Sequence, residues 1–318
     1  MVTGTGSLIG QAIIKSIKKS DLVDSIKIIG ADYFSDTVGS FWCSKNYILP
    51  DILNQENKKQ WQTDILKIIE DENISILFVG VDFELILFSE MKDHIMQKTG
   101  CKVVVSDKKT LLIGNDKYLT YEFLKENMLN YPKTWLPTEV ESAAIEYPCI
   151  IKPRVGARSK GVFVIKNKEE LMKKLSLVED VVIQELIGDN DSEYSCGILF
   201  EEGKLVNSIA LKRSLKEGNT YIAEYKKNFS PDIYRYIEDV ALLLQPFGGC
   251  NLQLRLGRDS KPYLFEINPR YSGTTYMRSL FGFKEVEYTI KSILGYDTKP
   301  FKLKEGKIYR YYEEKFLG

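Results

Sequence analysis

Residues 263–270 read Tyr-Leu-Phe-Glu-Ile-Asn-Pro-Arg, and residues 251–257 read Asn-Leu-Gln-Leu-Arg-Leu-Gly. Between them lies Arg258-Asp259-Ser260-Lys261, a turn-like segment, so the two stretches predict a β-hairpin. Alternate side chains of a strand share a face, which groups Glu266 with Asn268 and sends Phe265 and Ile267 to the core. A hairpin symmetric about the turn pairs 257 with 262 and therefore 253 with 266. Gln253 then stands opposite Glu266, with Cβ atoms about 5 Å apart. One anionic and two neutral oxygen donors converge there, a set that suits Mg2+ sharing its other positions with waters and phosphates. Arg270, just beyond, is within reach of a transferred phosphoryl group. A solvated hairpin with scattered polar groups would carry the same residues.

Upstream, Cys149-Ile-Ile-Lys152-Pro153 is an apolar strand ending in a lysine, followed by a basic loop, Arg154-Val-Gly156-Ala-Arg158-Ser-Lys160-Gly161. A fixed charge beside backbone donors makes sense over a polyphosphate. A hairpin with an exposed lysine is the alternative, and the GxxxxGK[ST] phosphate loop is absent. Val181–Leu186 is a further strand, and its end, Glu185-Leu186, runs through a short linker to Glu193. A linker of this kind can read a nucleobase through its backbone while a carboxylate accepts from ribose hydroxyls. Helix Lys168–Leu175 lies within this small α+β unit. Longer strands at Glu193–Phe200 and Leu205–Arg213, the hairpin, a helix at Pro231–Leu244 and another at Arg278–Leu294 predict an antiparallel sheet packed on helices.

The first hundred residues differ. Short β-rich runs at Ile26–Asp32, Ile74–Gly80 and Lys102–Asp107 alternate with helical patterns at Gln11–Lys19, Lys58–Asp71 and Phe83–Lys98. This alternation implies a parallel sheet covered on both faces. Val2-Thr-Gly4-Thr-Gly6-Ser-Leu-Ile-Gly10 resembles the first strand-to-helix turn of dinucleotide-binding folds, with Asp32 where such enzymes hold a ribose. A plain tight turn, an anion site for a small substrate, and NAD binding all remain open. Only Met1 and Val2 precede the loop, so the first strand is very short or the natural chain extends upstream. Helix Lys117–Asn127 leads into a stretch whose two prolines, Pro132 and Pro137, mark a link between domains.

The 318 residues hold 44 Lys+Arg and 44 Asp+Glu, a balance that argues against a general nucleic-acid binder. No window is apolar enough for a membrane span, and no secretory signal opens the chain. Five scattered cysteines without a CxxC pair fit reduced thiols in the cytoplasm rather than disulfides or zinc. The lone histidine, His94, falls in a predicted helix and reads as a surface or partly buried residue.

In this order and at these distances, the elements resemble the ATP-grasp superfamily, in particular its carbamoyl-phosphate-synthase-like and carboxylate–amine-ligase members. The resemblance implies an N-terminal Rossmann-like pre-ATP-grasp domain (1–113), a small lid lobe with its linker helix (114–188) and a larger C-terminal lobe (189–318). Lys117 and Lys152 are similar to the family's two phosphate-contacting lysines, and Gly156 to Gly161, with Arg158 between them, to its phosphate loop. Glu185 and Leu186 fall on the adenine hinge, Glu193 on the ribose carboxylate, and Gln253, Glu266 and Asn268 on the magnesium ligands. Arg270 matches the arginine facing the acyl-phosphate step, with Lys152 as its catalytic companion. Lys212-Arg213 sits where a phosphate contact is common; either residue could make it, and Arg213 is carried forward as the candidate.

The implied activity is ligation driven by ATP and Mg2+, with Mn2+ as a substitute. A small-molecule carboxylate is activated as an acyl phosphate and attacked by an amine or another nucleophile. Carboxyphosphate or carbamate chemistry, a non-catalytic ATP-binding module and NAD-dependent oxidation are the competing readings. Arg278 is a candidate for a substrate carboxylate, equally readable as a surface arginine. A homodimer rests on the resemblance alone, and neither a nucleic acid nor a membrane is expected as a partner.

Overall fold

The computed structural model describes residues 1–156 and 160–316. Its first sheet is five-stranded and parallel: β1 (Val2–Thr3), β2 (Ile29–Asp32), β3 (Lys45–Ile48), β4 (Ile76–Phe78) and β5 (Lys102–Val104), ordered β3-β2-β1-β4-β5. Helices α1 (Leu8–Lys18), α2 (Lys58–Asp71), α3 (Leu85–Thr99) and α4 (Lys108–Asn115) accompany it. One face packs Ile65, Ile69, Phe88 and Ile95 against Leu77 and Val103, while the other packs Ile13, Ile14 and Ile17. That second face also takes in Tyr271, Val286 and Ile290 from near the other end of the chain. The strand order reverses at β1, and ligands in open α/β sheets collect at such a reversal.

Helix α5 (Lys117–Glu126) leads to a four-stranded sheet, β6 (Thr134–Trp135), β7 (Cys149–Pro153), β8 (Phe163–Ile165) and β9 (Val181–Glu185), ordered β6-β9-β7-β8 and carrying helix α6 (Lys168–Leu175). Its small core is built from Val140, Cys149, Ile151, Ile165, Leu171, Val181 and Ile183.

The third sheet is six-stranded and antiparallel: β10 (Glu193–Glu201), β11 (Lys204–Lys216), β12 (Asn219–Tyr225), β13 (Gly248–Leu256), β14 (Pro262–Asn268) and β15 (Gly306–Tyr309), ordered β14-β13-β10-β11-β12-β15. Helix α7 (Pro231–Leu244) covers one face with Ile233, Ile237, Val240 and Leu244, and Leu124 of α5 joins that core. The opposite face carries Leu199, Ile209 and Leu211 under Met277, Phe281 and Phe283.

One expectation changes. The single helix over Arg278–Leu294 is two, α8 (Thr275–Leu280) and α9 (Glu285–Ile293). They part at Gly282, where φ is +96° and an added Cβ would lie 2.2 Å from the Lys302 carbonyl oxygen. The chain there takes a backbone conformation open mainly to glycine. The glycine loop also closes on itself. Asp32 accepts from Gly6 N at 2.6 Å and from Thr5 Oγ1 at 2.9 Å. Ser7 caps α1 through Gly10 N at 2.9 Å. A carboxylate of the chain therefore holds a donor that a dinucleotide phosphate would need. Among the described residues no helix is long and apolar enough to cross a membrane.

Candidate nucleotide and metal site

The two lysines come from different elements and meet in one cleft. Asp116 caps α5, accepting from Tyr118 N at 2.8 Å, and also holds Arg154 Nη2 at 2.6 Å. This fixes the exit of β7 against the first turn of α5, where Lys117 begins the helix. Lys117 Nζ donates to the carbonyls of Gly156 (3.2 Å) and Arg154 (3.4 Å). Lys152 Nζ donates to Gln184 Oε1 at 2.7 Å and to the Phe265 carbonyl at 3.3 Å. Gln184 is held in turn by its own donation to Thr134 Oγ1 at 2.8 Å.

Both lysines are buried, and neither meets a carboxylate at ion-pair distance among the described residues. Burial, helped by the neighbouring Lys117 charge, lowers the Lys152 ammonium to about 7, against an opposing pull from Glu266. Burial lowers Lys117 as well, with Glu266 and Asp116 opposing. A buried ammonium without a counter-ion is costly, so an anion placed between the two lysines would relieve that cost.

Across the cleft, Gln253 pairs with Glu266, as the hairpin reading expected. The route to that pairing differs. The strands close with Leu256 opposite Pro262, one residue off symmetry, and a bulge at Phe265 restores the register before Glu266. The bulge also re-aims one side chain. Tyr263, Phe265 and Glu266 line the cleft, while Leu264 and Ile267 fill the core, so Phe265 is a cleft residue and not a core one. Lys152 Nζ lies 5.6 Å from the centre of its ring.

Asn268 Nδ2 donates to Glu266 Oε1 at 2.9 Å, and Arg270 Nη2 donates to Asn268 Oδ1 at 2.8 Å. Arg270 Nε is paired with Asp82, which follows β4 at the reversal of the parallel sheet. The Phe78 and Tyr271 rings, 5.6 Å apart, brace the same junction.

Glu193 is buried and ion-paired through both oxygens. Its Oε1 accepts from Arg213 Nε (2.8 Å) and Nη2 (2.6 Å), and its Oε2 from Arg255 Nε (2.9 Å). Arg213 Nη2 reaches on to Gln253 Oε1 at 2.6 Å. Arg213 lines the cleft, whereas Lys212, one residue earlier on β11, presents the opposite face. Glu185 and Leu186 border the same cavity beside Ile150, Val162, Ile187 and Leu215, and Glu185 Oε2 accepts from Lys133 N at 3.1 Å. Gly156 and Gly161 flank the loop, Gly161 with φ +73°, and Arg158 lies outside the described residues.

Gln184, Arg255 and Asp82 belong to this neighbourhood and went unread in the sequence. Arg255 was findable, since it sits two residues after Gln253 and so shares its face. Asp82 was not, because its partner is 188 residues away. Arg278 is no substrate contact. It is fully buried, paired with Glu285 at 2.6 Å, and donates to Asn251, Thr274 and Thr275. His94 is an exposed helix residue, and all five cysteines are free thiols.

A family model described as an ATP-grasp domain matches residues 114–274, half of the chain, so this protein belongs to the ATP-grasp family. Over 190 residues it is 26% identical to a D-alanine–D-alanine ligase of Thermotoga maritima, covering 55% of this chain and 62% of that one. It thus spans less than two thirds of that relative's length. Its fold is shared with an L-amino acid ligase from Bacillus licheniformis (TM-score 0.71, 14% identity, 92% of this chain and 73% of that one). It is also shared with the biotin carboxylase domain of a Hydrogenobacter thermophilus 2-oxoglutarate carboxylase, solved with MgADP and bicarbonate (TM-score 0.73, 15% identity, 96% and 72%).

Proposed function

We propose that this chain is an ATP-dependent ligase that activates a small-molecule carboxylate for attack by an amine or a similar nucleophile. One observation carries the proposal: two buried lysines, without counter-ions among the described residues, face Glu266 and Gln253 across a single cleft. A polyphosphate answers the lysines, and a divalent cation answers the carboxylate and the amide oxygens.

In this reading Lys117, Lys152 and the loop bounded by Gly156 and Gly161 hold the phosphates, with Arg213 and Arg158 contributing. Glu185 and Leu186 border the base, and Glu193 faces the ribose. Glu266, Asn268 and Gln253 hold Mg2+, with Mn2+ as a substitute. Bound MgATP supplies the phosphoryl group that converts the carboxylate to an acyl phosphate, with its charge partly neutralised. Arg270, steadied by Asp82 and Asn268, positions the carboxylate oxygen and stabilises charge on the group in transit. The amine lone pair then forms the bond to the acyl carbon, the bond to phosphate breaks, and a proton leaves the nitrogen to solvent.

Residues 1–113, 114–188 and 189–318 are taken as the pre-ATP-grasp domain, lid lobe and large lobe. A cytoplasmic setting fits the five free thiols, and a homodimer fits the family resemblance.

The test is ADP release over pairs of carboxylates and amines. Glu266→Ala should lose at least about 100-fold in turnover while keeping its circular dichroism spectrum. Full turnover in that variant would remove the metal assignment.

A further inference from the structure

Most arginines that are not exposed, among the described residues, are matched with acids. Arg213 and Arg255 share Glu193, Arg278 holds Glu285, Arg270 holds Asp82, and Arg154 holds Asp116. Among the described arginines that are not exposed, Arg310 alone lacks a carboxylate partner. It follows β15, is half-buried, and donates through Nη2 to the carbonyl of Gly273. Burial lowers its guanidinium from the ordinary value.

The turn it reaches is rigid. Ser272 and Thr274 are locked to each other at 2.8 Å and to the buried Arg278, whose Nη1 donates to Thr274 Oγ1 at 2.8 Å. Gly273 stands between them without a side chain. An added Cβ there would lie 3.4 Å from Leu8 Cβ and 3.8 Å from Arg310 Nη2, so its absence leaves room beside the guanidinium. Three residues after Gly273, the Tyr276 ring meets a second cation. Lys15 Nζ lies 5.8 Å from the Tyr276 ring centre and 5.0 Å from that of Trp42, and it too lacks a carboxylate partner among the described residues. Glu313 of the C-terminal tail comes near Tyr276 without pairing with either cation. The turn begins two residues after Arg270 and so adjoins the site assigned above to the reacting carboxylate.

We propose that Arg310, with Lys15 beyond Tyr276, binds a second anionic group of a substrate, a carboxylate or phosphate that takes no part in the reaction. This rests on the ligase reading for its substrate but not for its binding site. The reacting carboxylate loses its charge on activation, whereas a separate anchor keeps its hold through both steps. Substrates would then carry an extra carboxylate, as in an amino acid or a dicarboxylate, or a phosphate monoester.

The test separates the two readings. With the nucleotide cleft saturated by MgADP, succinate, glycine and inorganic phosphate are titrated calorimetrically onto wild type, Arg310→Ala and Arg310→Lys. At least one probe should bind wild type saturably. Arg310→Ala should weaken that probe about 10-fold or more, and Arg310→Lys should recover part of the loss, with MgADP affinity unchanged in all three. In the ADP-release assay the same variant should raise KM for the anionic substrate and leave kcat near wild type. Absence of binding by every probe, or equal binding by wild type and Arg310→Ala, overturns the anchor and makes Arg310 a tie between β15 and the turn. Failure of MgADP itself to bind would instead overturn the ligase reading.

Discussion

Lys152 is where a single residue reports most on the chemistry. With its ammonium lowered to about 7, the unfolded chain binds more protons than the folded one between that pH and the ordinary value of 10.5. Its burden on stability is therefore complete below about pH 7 and fades as pH rises through that window. A polyphosphate beside it would restore the charge, so nucleotide binding should take up as much as about one proton at mildly alkaline pH, and affinity should fall as pH rises above about 7. Calorimetry of MgADP binding at about pH 8, in two buffers of different protonation enthalpy, should show that uptake for wild type and not for Lys152→Met. Identical heats in both buffers for wild type would show that this lysine does not answer to phosphate.

At the scale of elements, the junction after β14 depends on a buried ion pair. Arg278→Met leaves Glu285, already raised by burial and holding one oxygen without a partner, as an isolated buried carboxylate. The loss should be about 3–5 kcal/mol in urea denaturation, and Arg278→Met combined with Glu285→Met should recover much of it, since apolar replacement of a buried pair is often neutral. A single variant as stable as wild type would mean that the pair is not buried in solution. Elements with strong local patterns were legible in advance: Lys58–Asp71, Cys149–Pro153, Lys168–Leu175 and Pro231–Leu244 have the bounds read from the sequence. What escaped depends on contacts far along the chain. β3 and β15 are sheet-edge strands whose side chains are largely exposed, so they carry little hydrophobic signal. The bulge at Phe265 is set by its partner strand, and Arg278 gives no local sign that Glu285 and Asn251 will enclose it. The candidate site was legible because its residues recur at period two on strands, and Asp82 was not because only the packing of the parallel sheet brings it to Arg270.

For the whole molecule, three sheets converge on cleft and junction, and a ligand held between them should stabilise the chain by mass action. MgADP at about 100 times its Kd should add about 2.7 kcal/mol, a rise of roughly 4 °C in Tm for a chain of this length. Replacing Mg2+ by EDTA, or Glu266 by Ala, should remove much of the rise. Equal melting curves with and without the cation would separate nucleotide binding from the hairpin.

The guanidinium of Arg213 grasps Glu193 and, through the same Nη2, Gln253. It therefore sits astride the groups assigned to sugar and to cation, and a move that frees one tends to free the other. Nucleotide and metal should consequently load as a cooperative pair, each sharpening the protein's appetite for its companion, so that the cleft senses the complex in preference to either component alone.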